Sequence, residues 1–158
     1  MIAAFAPATV SNVAAGFDVL GFALDEPGDI VVARLADAPG VVIGEIRGDH
    51  GRLSTDPRRN TAGAAAQALL AMLGTRQGIS LDVHKGLPLA SGVGSSGASA
   101  VAAVVAVNEL LGRPASLEQV CRAAMEGERA HFASPMRRMA QVQTTVRMAI
   151  TRKAMAAV

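Results

Sequence analysis

The alternation of hydrophobic and polar positions divides the chain into strands and helices. Met1 to Val10 is apolar and partly β-branched, which predicts an opening strand broken by Pro7 and ended by Ser11-Asn12. Asn12 to Leu24 is apolar except for Asn12 and Asp18, which flank a small-residue turn at Ala14 to Gly16. Polar groups in such company need partners or a ligand. An Asx-turn at Asn12 and a helix-start carboxylate at Asp18 explain them equally well. Asp29 to Ala36 and Val41 to Arg47 predict two strands, joined as a hairpin by a turn at Pro39-Gly40.

Asp56-Pro-Arg-Arg-Asn-Thr61 supplies turn and capping chemistry, with Asn60 as N-cap, for a helix from about Ala62 to Leu73 stopped by Gly74. Ile79 to Lys85 alternates, so it predicts a strand with one wet face carrying His84. A helix from about Gly97 to Leu111 is apolar nearly all the way round and is expected at the centre of the fold. Gly112 and Pro114 end it. Ser116 followed by Gln119 is a capping-box signature and opens a last helix to about Arg129. Glu126 and Glu128 lie two apart, so at most one faces inward. The order predicts an α+β domain with helices against one face of a mostly antiparallel sheet.

Between the last strand and the central helix lies Gly86-Leu-Pro-Leu-Ala-Ser-Gly-Val-Gly-Ser-Ser-Gly-Ala-Ser99. Gly92, Gly94 and Gly97 let the backbone approach a bulky anion, and Ser95 and Ser96 add hydroxyls where a helix is about to expose unpaired N–H donors. The positive end of the helix dipole favours an anion at the same place. The bland account, a flexible turn with a capping serine, needs fewer glycines and serines than are present. A Walker loop is excluded, because no lysine lies between Lys85 and Lys153. The spacing Gly92, Gly94, Gly97 spells GxGxxG but fits a dinucleotide fold poorly. Gly86 to Ser91, with Pro88, separates strand from glycines, and the region around Glu118 reads as a helix instead of a second strand.

At 158 residues the chain suffices for one domain with a proper core. The single Cys121 excludes an internal disulfide and suits a reducing compartment, most simply as a small buried apolar residue. No basic segment precedes the first apolar residues, and no apolar run is long enough for a bilayer, so a cytoplasmic protein that binds no membrane is expected. The net charge of +2 hides an asymmetry: all 13 acids lie at or before Glu128, whereas the residues after it carry six Lys or Arg and no acid. With no Trp or Tyr and only four Phe, stacking platforms for single strands are missing, and no nucleic-acid partner is expected.

Two stretches resemble the GHMP small-molecule kinases, and within them the homoserine kinase branch. Ala6 to Leu24 is similar to the family's opening, and Gly86 to Ser99 to its ATP-phosphate loop. The resemblance covers residues 1 to about 129. It implies the N-terminal GHMP domain, a ribosomal protein S5 domain 2-like fold, over 1–129. It further implies ATP-dependent phosphorylation of L-homoserine to O-phospho-L-homoserine in threonine biosynthesis, with ATP and Mg2+ as cofactors, and it allows a homodimer as in the family. Residue by residue, Asn12 and Asp18 match substrate-binding positions, Asp18 being able to pair with the homoserine ammonium group. Asn60 matches a residue near the adenine pocket. Pro88, Leu89, Ala90, Ser91, Gly92, Val93, Gly94, Ser95 and Ser96 match the phosphate cradle. Glu128 matches the acid that holds Mg2+ together with Ser95 or Ser96. No general base is assigned.

Ala90, Ala15 and Gly97 depart from the family, which more often has Gly, Gly or Pro, and Ala there. The family continues with a His-x-Asp-Asn segment eight residues after the metal-binding acid and then a second, ferredoxin-like half. Here position 136 opens Met136-Arg137-Arg138-Met139, and reading one nucleotide early permits His-Ala-Glu-Asn. A tail out of frame from Met136, with the C-terminal domain missing and activity impaired, is therefore expected. The competing account is a basic amphipathic helix with Met139, Val142, Val146 and Ile150 on one face, for an acidic partner or surface. A non-catalytic nucleotide-binding or partner-binding module, and another GHMP small-molecule kinase, stay open as alternative functions.

Overall fold

The computed structural model describes residues 1–13 and 16–129, and within residues 11–20 the backbone alone. The two accounts of the tail, and the side chains of Asn12 and Asp18, lie outside the described residues. Four strands and three helices follow in the order β1 (Ile2–Val13), β2 (Gly16–Ala36), β3 (Gly40–Arg47), α1 (Thr61–Met72), β4 (Gly78–His84), α2 (Ser95–Leu110) and α3 (Leu117–Arg129). The α+β class expected from the pattern is observed.

Three strand expectations are corrected. Strand β1 does not end at Ser11-Asn12 but runs to Val13, and Gly16 to Leu24 belong to β2. Antiparallel pairing from Ile2↔Ala33 to Val13↔Gly16 holds both, so Asp18 does not start a helix. Pro7 shifts the register without breaking the strand. Strand β1 is at the edge of this sheet, where the missing N–H is tolerated. Strands β2 and β3 are not a hairpin: the sheet order is β1-β2-β4-β3, with β4 inserted antiparallel to β2 and parallel to β3. Ile79, Leu81 and Val83 of β4 are buried almost completely, which makes β4 the natural central strand between two partners.

The helices cover one face. Ala4, Ala6, Ala8, Val31, Ala33, Ile79, Leu81 and Val83 point toward them and are at most 1 % exposed. Every residue of α2 from Ala98 to Val107 is buried, as the all-round apolar pattern requires, and α2 packs against β1, β2, α1 and α3. Small alanines on both surfaces let helix and sheet approach closely. On the opposite face, Arg34 pairs with Asp82, which also accepts a hydrogen bond from the Glu45 N–H at 3.1 Å. Helix α1 is capped by Asn60, whose Oδ1 accepts from Ala62 N and Gly63 N at 3.0 and 3.4 Å. The predicted capping box also forms, with Ser116 N donating to Gln119 Oε1 at 2.9 Å and Gln119 N to Ser116 Oγ at 3.3 Å. Among the described residues no helix is long and apolar enough to cross a membrane.

Candidate nucleotide site

The glycine- and serine-rich stretch leaves β4 and enters α2 through three left-handed residues, Ala90 (φ 60°), Gly92 (φ 78°) and Gly94 (φ 75°). Gly94 is the N-cap of α2 and offers no side chain for capping. The first bond of the helix ladder runs from Ala98 N to Gly94 O at 2.8 Å, so the amides of Ser95, Ser96 and Gly97 precede it. Pro88, Ala90, Ser91 and Gly92 are exposed, Leu89, Val93 and Gly94 half-buried. A Cβ on Gly92 would meet no atom within 4 Å, leaving open space above the loop. Thr9 N donates to Val93 O at 3.0 Å and ties the loop to β1.

The two serines differ. Ser95 is buried, with its hydroxyl 3.5 Å from Leu87 O, whereas Ser96 is half-buried. Ser91 donates to Pro88 O at 2.8 Å and so closes the loop on itself.

Of the two acids on α3, Glu128 is the one that faces inward, at 8 % exposure. Glu126 is outside and paired with Arg129. The Glu128 Cδ lies 3.9 Å from where a Cβ on Gly97 would be, so the carboxylate stands beside the first turn of α2. Asn60 is buried, and its amide is engaged at both ends, because Nδ2 donates to Ser54 O at 3.0 Å while Oδ1 caps α1.

Beneath the loop lies a group that the sequence pattern does not single out. Asp29 and Lys85 form an ion pair with side chains 0 % and 1 % exposed, joined by Ser99. Burial pushes the Lys85 ammonium below the usual lysine range, while Asp29 and Glu128 beside it act in the opposite sense. In the sequence Asp29 reads only as the start of a strand and Lys85 as the end of one. The available signal was an acid and a lysine bordering apolar strands at Gly28 and Gly86.

The Glu128 carboxylate and the hydroxyls of Ser95 and Ser96 are hard oxygens, a donor type that suits Mg2+ and no soft metal. Among the described residues no three His, Cys, Asp or Glu side chains cluster. A magnesium ion fits such sparse protein ligation, because it usually retains waters and takes phosphate oxygens.

A family model described as the GHMP kinases N terminal domain matches residues 60–136. The chain is 51 % identical over 125 residues to a homoserine kinase of Xanthomonas campestris pv. campestris, covering 79 % of this chain and 39 % of that protein. A homoserine kinase of Chloroherpeton thalassium is 49 % identical over 138 residues, covering 81 % and 43 %. The crystal structure of homoserine kinase from Cytophaga hutchinsonii superposes with a TM-score of 0.84 at 48 % identity, covering 90 % of this chain and 45 % of that one. The chain thus spans about two fifths of the length of the curated relatives it matches. Mevalonate kinase from Methanococcus jannaschii, at 12 % identity and TM-score 0.71, shares the fold. With its glycine loop on the N-terminus of α2 and its inward acid on α3, this chain carries a GHMP kinase N-terminal domain.

Proposed function

We propose that residues 1–129 are the ATP-binding domain of a kinase that phosphorylates the side-chain hydroxyl of L-homoserine, forming O-phospho-L-homoserine for threonine biosynthesis in the cytoplasm. The observation that carries the reading is the left-handed loop that leads into α2, with Glu128 beside the first turn of that helix, in a chain about half identical to homoserine kinases. Residues Pro88 to Ser96 wrap the phosphates, and the amides of Ser95, Ser96 and Gly97 direct the helix dipole at them. Ser96, the more accessible serine, and Glu128 hold Mg2+; Ser95 is turned toward Leu87 O. Held there, Mg2+ would supply positive charge to offset that of the phosphates.

Asn12 and Asp18 bind the amino acid, Asp18 meeting its ammonium group. Asn60 lies near the adenine and acts by holding α1 in place, since its own polar atoms are engaged in capping. The γ-phosphoryl group passes to the homoserine oxygen, the bond to the β-phosphate oxygen breaks, and ADP and a proton leave. Positioning and charge neutralisation supply most of the acceleration in such transfers. The reading includes the homodimer found in the family.

The test is calorimetric titration of the chain with ATP, with and without Mg2+, followed by an ADP assay with homoserine. Mg2+-dependent ATP binding that weakens in Glu128→Gln is expected. A chain that binds no ATP overturns the nucleotide reading. ATP binding without ADP favours a non-catalytic nucleotide-binding module. ADP formed only with another small alcohol would assign a different GHMP kinase.

A further inference from the structure

Asp29, Lys85 and Ser99 come from β2, the end of β4 and the second turn of α2, and they meet under the loop. Asp29 Oδ1 accepts hydrogen bonds from the Gly86 and Leu87 amides at 3.0 and 3.1 Å. Its Oδ2 accepts from Ser99 Oγ at 2.7 Å and from Lys85 Nζ. Lys85 Nζ also donates to Ser95 O at 2.9 Å and to Ser99 Oγ at 2.8 Å. Both margins of the loop are therefore held by one buried pair: the first margin at Gly86 and Leu87 through Asp29, the last at Ser95 through Lys85. An ammonium has three N–H groups, and all three of Lys85 are engaged inside the protein.

We infer that Asp29 and Lys85 are positioning residues, a buried clamp that fixes the spacing between the two ends of the phosphate loop so that its amides face the nucleotide. The inference rests on the nucleotide reading above. Lys85 acts through the loop and does not touch phosphate. A buried ion pair is a poor device for stability alone, because desolvating both charges offsets much of their attraction. It does, however, specify one arrangement. Close backbone contact at the first margin serves the same end: a Cβ on Gly86 would lie 2.1 Å from Gly28 O, so the strands bearing Asp29 and Lys85 meet without side chains between them.

Removing one charge strands the other in the interior, and such a variant is prone to unfold. The informative variant is the neutral double substitution Asp29→Asn with Lys85→Met, read by calorimetry with MgATP and by amide hydrogen exchange over residues 86–96. The asparagine carbonyl introduced at position 29 still accepts from the Gly86 and Leu87 amides, but a thioether at position 85 has no N–H to hold Ser95 O. A folded double variant with MgATP affinity down about tenfold or more and faster exchange confined to 86–96 is expected. Ser99→Ala, which changes no charge, should show a smaller shift in the same direction. Wild-type affinity and wild-type exchange in the folded double variant would overturn the clamp, as would a loss of affinity with no change in exchange. If the double variant does not fold, Ser99→Ala decides by the same two readings. If the wild-type chain binds no MgATP, the nucleotide reading fails by itself, and exchange over 86–96 still decides whether the pair holds the loop.

Discussion

Gly97 and Glu128 face each other where α2 begins and α3 ends, with the carboxyl carbon of Glu128 3.9 Å from the position a Cβ on Gly97 would take. That separation is ordinary van der Waals contact, so Gly97 is not required by space, and no left-handed φ requires it either. Gly97→Ala should fold and gain about 0.5–1 kcal/mol from helix propensity. In a chain of this size that corresponds to a melting temperature about 1–4 °C higher. A thermal melt checks it; a fall in stability would mean that α2 and α3 are closer than described.

Gly127 is the opposite case. A Cβ there would lie 2.5 Å from Thr61 O and 2.7 Å from the Ala65 Cβ, so α3 rests on α1 only because position 127 has no side chain. Gly127→Ala should cost about 1–3 kcal/mol by forcing the helices apart. Glu128 is the next residue and moves with the backbone. The same variant should therefore weaken Mg2+-dependent ATP binding more than Mg2+-free binding, which paired titrations measure.

Ala90 holds a left-handed φ of 60° in the loop, where its Cβ is unfavourable. Glycine would relieve about 1–2 kcal/mol of strain while losing about 0.4–1 kcal/mol to a freer unfolded chain. Ala90→Gly is expected to be more stable by about 0.5 kcal/mol, as denaturant unfolding would show. Lower stability would place the strain elsewhere.

Acid should weaken the fold through two identifiable carboxylates. The Arg34 guanidinium hydrogen-bonded to Asp82 holds that carboxyl below its usual range, and the Leu53 amide, with Gly51, does the same for Asp49. A carboxylate depressed by folding contributes stability above its unfolded pKa of about 4 and loses it as pH falls through the lower folded value. Melting temperature should accordingly drop below about pH 4. The drop between about pH 7 and about pH 3 should be smaller in Asp82→Asn and Asp49→Asn than in the wild type. An unchanged drop in both would remove these groups from the account.

What the sequence determined by itself was whatever depends on neighbours along the chain. The three helices, the capping box at Ser116 and Gln119, the Asn60 cap and the glycine loop on α2 are set by residues within a few positions of one another, where periodicity and unpaired end groups act. The inward turn of one acid in Glu126-Gly-Glu128 followed from helical geometry as well, although which of the two turned inward did not. Tertiary structure decided the strand order and the clamp. Strands β2 and β3 are adjacent in sequence and look like a hairpin, yet β4 lies between them, with Ile79, Leu81 and Val83 buried and a partner strand on each side. Asp29 and Lys85 are 56 residues apart, and neither sits in a motif. Only when β2 and β4 pair, and α2 closes over them, does a buried acid find a buried ammonium. An isolated charge at a strand end carries no local mark of the partner that burial will require.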